Sequence, residues 1–63
     1  MKFLKTYSPE GYINKKNIVF MHIMRIEDGF TIEVWTLIPE PMRTYLLTPP
    51  LAMGEVKKII KSI

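Results

Sequence analysis

The clearest stretch of apolar residues covers positions 18–26, Ile-Val-Phe-Met-His-Ile-Met-Arg-Ile, rich in β-branched and large side chains and free of Gly and Pro. That composition predicts a strand. Glu27-Asp28-Gly29 then turns the chain and residues 30–38 run back, the strongest hairpin signal in the sequence. Pro39-Glu40-Pro41 cannot lie inside a ladder, because neither proline has an N–H to donate. A third strand is therefore expected over 42–48. Upstream, Ser8-Pro9-Glu10-Gly11 has Pro and Gly where a type I turn favours them, which predicts a hairpin over 2–13. Asn14-Lys15-Lys16-Asn17 is a polar connection. At the other end Met53, Val56, Ile59, Ile60 and Ile63 recur at helical spacing, while Glu55, Lys57, Lys58 and Lys61 fill the outer face. This predicts a helix over 51–63, with Thr48 as its cap and a proline in its first turn.

Turn length sets which side chains share a face. A two-residue loop Asp28-Gly29 mixes polar and apolar residues on both faces. A three-residue loop Glu27-Asp28-Gly29 pairs Ile26 with Phe30, Met24 with Ile32, His22 with Val34 and Phe20 with Thr36, and is preferred because a one-residue slip exchanges the faces. Continued through Pro39 to Pro41, the same register puts Val34 beside Leu46 and Trp35 beside Tyr45. The expected core face then holds Ile18, Phe20, Met24, Ile26, Phe30, Ile32, Val34, Ile38, Met42 and Leu46, facing the helix stripe. The second face holds a row Met21, Trp35, Tyr45, flanked by Arg25 and Arg43. One helix cannot cover both faces, so the N-terminal hairpin is expected either to fold over the second face, closing a small partial barrel, or to leave it to a partner. The fold class is α+β: one domain over 1–63 with an antiparallel sheet of three long strands, an N-terminal β-hairpin and one C-terminal helix packed on one face.

Length sharpens that question. Folding a chain of 63 residues removes about 60% of its unfolded surface from water. The apolar share contributes on the order of 100 kcal/mol, and ordering the chain costs about 95 kcal/mol. There is no cysteine to form a disulfide. Tight packing, self-association or a partner has to supply the remainder.

The candidate chemistry is sparse. His22 is the only histidine, cysteine is absent, and Ser8 and Ser62 sit in a turn and at the chain end. No nucleophile with a positioned base and no set of three nitrogen or sulfur metal ligands can be assembled from these. The expectation is a protein that is not an enzyme, with no catalytic residues, cofactor, metal or small-molecule substrate. Glu33 is expected to form an ordinary cross-strand ion pair with Arg25, and His22 to be a buried neutral core residue. No apolar run approaches bilayer thickness and no signal-peptide core follows the basic N-terminus, so the expected address is cytoplasmic, without membrane association.

Met21, Arg25, Trp35, Arg43 and Tyr45 remain as the candidate binding residues, since these types are enriched at interface centres. The expected partner is another protein or a second copy. The alternative is nucleic acid, from a net charge of +3 with nine Lys and Arg against six Asp and Glu and from aromatic rings on which bases could stack. In outline the order hairpin, three strands, helix resembles the small basic chromatin proteins of archaea, and its second half resembles the arm-site DNA-binding domains of integrases. These resemblances are architectural and imply the nucleic-acid alternative. Gly11-Tyr12-Ile13, Ile38-Pro39-Glu40-Pro41-Met42-Arg43 and Glu55-Val56 resemble, in short scattered pieces, paratox, a family of prophage-encoded inhibitors that bind a competence regulator. That resemblance implies an accessory or inhibitory protein of phages or mobile elements.

Overall fold

A computed structural model describes residues 2–38 and 40–63; Pro39, expected to help break the ladder, lies outside the described residues. The elements follow the expected order: β1 (Phe3–Thr6), β2 (Gly11–Asn14), a 3-10 turn (Lys15–Asn17), β3 (Ile18–Ile26), β4 (Gly29–Thr36), β5 (Arg43–Leu46) and α1 (Met53–Lys61). The class is α+β, with β1 and β2 forming one antiparallel sheet and β3, β4 and β5, in that order, a second. Among the described residues there is no closed barrel. The hairpin is instead tied to the far edge of the larger sheet, where Leu46 N–H donates to Ser8 O at 2.8 Å and Tyr7 N–H to Leu46 O at 2.8 Å.

The register differs from the expected one, and the difference rearranges the faces. Ile26 pairs with Gly29, so the loop is the two residues Glu27-Asp28, and the ladder continues as Arg25 with Phe30, Ile23 with Ile32, Met21 with Val34 and Phe20 with Trp35. Against β5, Val34 pairs with Tyr45 and Trp35 with Thr44. Relative to the expectation, β3 and β5 are each displaced by one residue past β4. Because side chains alternate between faces, that displacement keeps Phe30, Ile32 and Val34 on the core face but exchanges their neighbours. Met21, Ile23, Tyr45 and Leu47 join the core cluster. Phe20, Ile38 and Met42, expected in the core, are exposed.

The core itself is small: Ile32, Val34 and Val56 are fully buried, and Ile13 is nearly so. Ile13 comes from β2 and Val56 from α1, so hairpin and helix share the same face of the larger sheet. On the opposite face Thr31 is buried against Thr48, while the stretch around Phe20, His22 and Trp35 stays open.

The passage from β5 into α1 is also built differently from the expectation. Thr48 does not cap the helix; Ala52 is the N-cap and makes no side-chain bond. Thr48 is instead held in a buried network, in which the Thr31 hydroxyl donates to Thr48 O at 2.8 Å and lies 3.0 Å from the Thr48 hydroxyl. Thr31 thus substitutes for the missing ladder bonds of a strand that has already ended. Three residues later Leu51 rejoins β4, donating to Phe30 O at 2.9 Å and accepting from Phe30 N–H at 2.8 Å. The helix then covers the core with Val56, Ile59, Ile60 and Ile63, the stripe expected from its periodicity.

Candidate functional site

The five residues expected to form one surface are divided between two. Met21 and Tyr45 flank Val34 on the covered face and pack against the core. Trp35 is on the open face. Arg25 and Arg43 are exposed, but pair with Phe30 and Thr36, so they fall in register with the covered face. The expected row Met21, Trp35, Tyr45 therefore does not exist, because the one-residue displacement puts Val34 rather than Trp35 between the other two.

What the open face does assemble is a cluster of Phe20, His22, Glu33 and Trp35. Phe20 and Trp35 pair across β3 and β4, with ring centroids 6.1 Å apart at 86°, the edge-to-face geometry preferred by aromatic quadrupoles. Phe20 also approaches the His22 ring, with centroids at 5.1 Å. Glu33 anchors the arrangement: its Oε1 accepts from the indole N–H of Trp35 at 3.0 Å and from His22 Nε2 at 2.7 Å. A carboxylate is only an acceptor, so the His22 proton resides on Nε2 in this arrangement. Glu33 and Trp35 share a face in any register, being two residues apart. Phe20 and His22 escaped the sequence reading because the expected register assigned both to the core, and Glu33 bonds His22 and Trp35 rather than Arg25.

The cluster is hydrogen-bonded yet accessible. The His22 side chain is 40% exposed and that of Glu33 19%, while Phe20 is 52% exposed and Trp35 36%. The Trp35 bond, followed by the His22 bond, holds the Glu33 carboxyl below its ordinary value of 4.5, against a smaller opposing effect of burial. A carboxyl whose folded pKa is depressed stabilises the fold above its unfolded pKa, and that contribution is lost as pH falls through the folded pKa. Glu33→Gln is accordingly expected to cost about 1 kcal/mol or less at pH 7 and to converge with wild type as pH falls below the ordinary carboxyl value of 4.5 and through the lowered folded-state value. Urea midpoints of both proteins across that range check this. A constant gap between them would show that the ionised carboxylate contributes nothing.

Lysine and arginine are segregated from this face. Lys2, Lys5, Lys15 and Lys16 belong to the N-terminal hairpin region and its following turn, Lys57, Lys58 and Lys61 to the helix. Of these elements the hairpin and the helix pack on the covered side, through Ile13 and Val56. On this side of β3, β4 and β5 lie Phe20, His22, Met24, Ile26, Glu33, Trp35, Thr44 and Leu46, together with the buried Thr31, with no Lys or Arg among them. Compared with protein-family models, curated proteins and solved structures, the chain matches none of them.

Proposed function

We propose that this protein is a non-enzymatic binding module that engages a protein partner through the open face of its sheet, centred on Phe20 and Trp35. The observation that carries this reading is the Trp35 indole, held by Glu33 and braced by Phe20 while more than a third of its surface remains in water. A large aromatic fixed before binding loses little conformational freedom on contact, and such residues dominate interface energetics. The separation of every lysine from this face favours a protein over nucleic acid, since stacking on single strands normally combines aromatic rings with cations along the same groove. The cytoplasmic address expected from the sequence belongs to the same proposal. No helix among the described residues is long and apolar enough to cross a membrane.

The test uses tagged protein as bait, with Trp35→Ala and Lys57→Ala/Lys58→Ala beside wild type. A protein partner bound through this face is expected to lose about thirtyfold or more in affinity with Trp35→Ala and to be unaffected by the lysine pair. Titration with single-stranded oligonucleotide at low salt provides the opposing arm. Quenching of Trp35 fluorescence that weakens steeply with salt, or protein capture indifferent to Trp35, would overturn the reading.

A further inference from the structure

The larger sheet has two edges, and they are treated differently. At the β5 edge, backbone groups are taken by Ser8, and Leu51 covers the exposed stretch of β4 beyond the end of β5. The β3 edge has no such cover. Phe30 directs both its N–H and its C=O to Leu51, so its pair with Arg25 is a non-hydrogen-bonded one. By alternation, Met21, Ile23 and Arg25 direct their backbone groups outward. Among the described residues, none of these outward groups has a backbone partner.

Edges of this kind are normally blunted by proline, lysine or bulges. β3 has neither proline nor lysine, carries a single Arg, Arg25, near one end, and has its single irregularity between Ile18 and Phe20, at the other. Residues 20–26 form an uninterrupted run with Ile23 at the centre. The accessible surface of the chain, 4570 Å², also exceeds the roughly 4,200 Å² expected of a folded monomer of this mass.

We propose that β3 pairs antiparallel with β3 of a second copy about a two-fold axis at Ile23, giving a homodimer with a continuous six-stranded sheet. In this register Ile23 meets Ile23, Met21 meets Arg25, His22 meets Met24 and Phe20 meets Ile26, so no like charges are opposed. It uses the whole regular run and nothing beyond it. An axis at His22 would oppose two imidazoles and recruit Val19 at the irregularity, and an axis at Met24 would run the pairing into the Glu27-Asp28 turn. The Ile23 axis also brings the acidic Glu27-Asp28 turn of each copy alongside Ile18 and Val19 of the other, next to Lys15-Lys16. This charge complementarity occurs twice by symmetry and favours a second copy over an unrelated strand. The dimer is held by backbone groups at the edge and leaves Trp35 on the open face, while Phe20 lies at the end of the seam and borders the binding face proposed above.

The absence of cysteine makes the register directly testable. His22 and Met24 of opposite copies form a non-hydrogen-bonded pair with Cα atoms about 4.5 Å apart, within disulfide reach. Each of these residues lies diagonal to its own copy, at about 7–8 Å. An equimolar mixture of His22→Cys and Met24→Cys is therefore expected to form a covalent dimer at least about tenfold faster under mild oxidation than either variant alone. Sedimentation of wild type is expected to show a concentration-dependent dimer. Arg25→Pro removes an outward N–H without touching the β3–β4 ladder, and should raise the dissociation constant about thirtyfold. Lys58→Ala, on the exposed side of α1, should leave the constant unchanged. Wild type that sediments as a monomer at every accessible concentration, or His22→Cys that cross-links with itself as fast as the mixture does, would overturn the proposal.

Discussion

Ile32→Ala is expected to abolish cooperative folding at 25 °C. Ile32 is fully buried, lies opposite Ile23, and accepts the Leu47 N–H at its carbonyl, at the point where sheet, hairpin and helix converge. Truncating a buried isoleucine costs about 4 kcal/mol when the surroundings cannot collapse into the space. A single-core domain of this size rarely has more than about 3–5 kcal/mol in reserve. The measurement is near-UV circular dichroism and urea unfolding at fixed, low protein concentration, since dimerisation would otherwise raise the apparent stability. Phe20→Ala is the paired control. Phe20 is half exposed on the other face, so its truncation should cost about 1 kcal/mol. If Phe20→Ala proved as damaging as Ile32→Ala, β3 would be in the register expected from the sequence and the observed one would be wrong.

The second large effect concerns Gly29. Its φ is +152°, and a Cβ there would sit 2.8 Å from the carbonyl oxygen and 3.2 Å from the nitrogen of Leu51. Both obstacles are backbone. Gly29→Ala must displace the segment that pairs Leu51 with Phe30, and that segment leads directly into the helix bearing Val56. A cost of about 3 kcal/mol is expected, combining backbone strain with the lost pairing, together with a loss of helical signal beyond what one residue explains. Gly54→Ala is the control: a Cβ at Gly54 meets nothing within 4 Å, and in the first turn of α1 the change should stabilise by up to about 1 kcal/mol. Equal effects at the two glycines would mean that close approach of Leu51 does not constrain Gly29.

These two residues also show where the sequence was legible. The identity and order of the elements follow from local chemistry: β-branched runs, proline breaks, a polar turn and a helical stripe. Ile32 and Val34 were expected in the core and are there, because Phe30, Ile32 and Val34 are clearly more apolar than Glu33 between them. β3 offers no such contrast. Met21 and Ile23 on one face are as apolar as Phe20, Met24 and Ile26 on the other, so alternation could not choose between registers one residue apart. The choice fell to the turn, and the turn depends on Gly29. Read as the last residue of a three-residue loop, Gly29 puts Trp35 between Met21 and Tyr45. As the first residue of β4, it puts Trp35 and Glu33 with Phe20 and His22. The backbone that a side chain at this position would strike is that of Leu51, twenty-two residues downstream.

The same distinction holds for the molecule as a whole. By itself the sequence determined an α+β domain, the phase of β4 and the apolar stripe of the helix, because each depends on neighbours close along the chain. Only the tertiary structure decided that hairpin and helix share one face, that the lysines go with them, and that the open face gathers Phe20, His22, Glu33 and Trp35. Those outcomes depend on how strands slide past one another. That sliding is fixed by contacts between residues far apart in sequence, above all Leu51 with Phe30 and Ser8 with Leu46, for which no local pattern carries a signal.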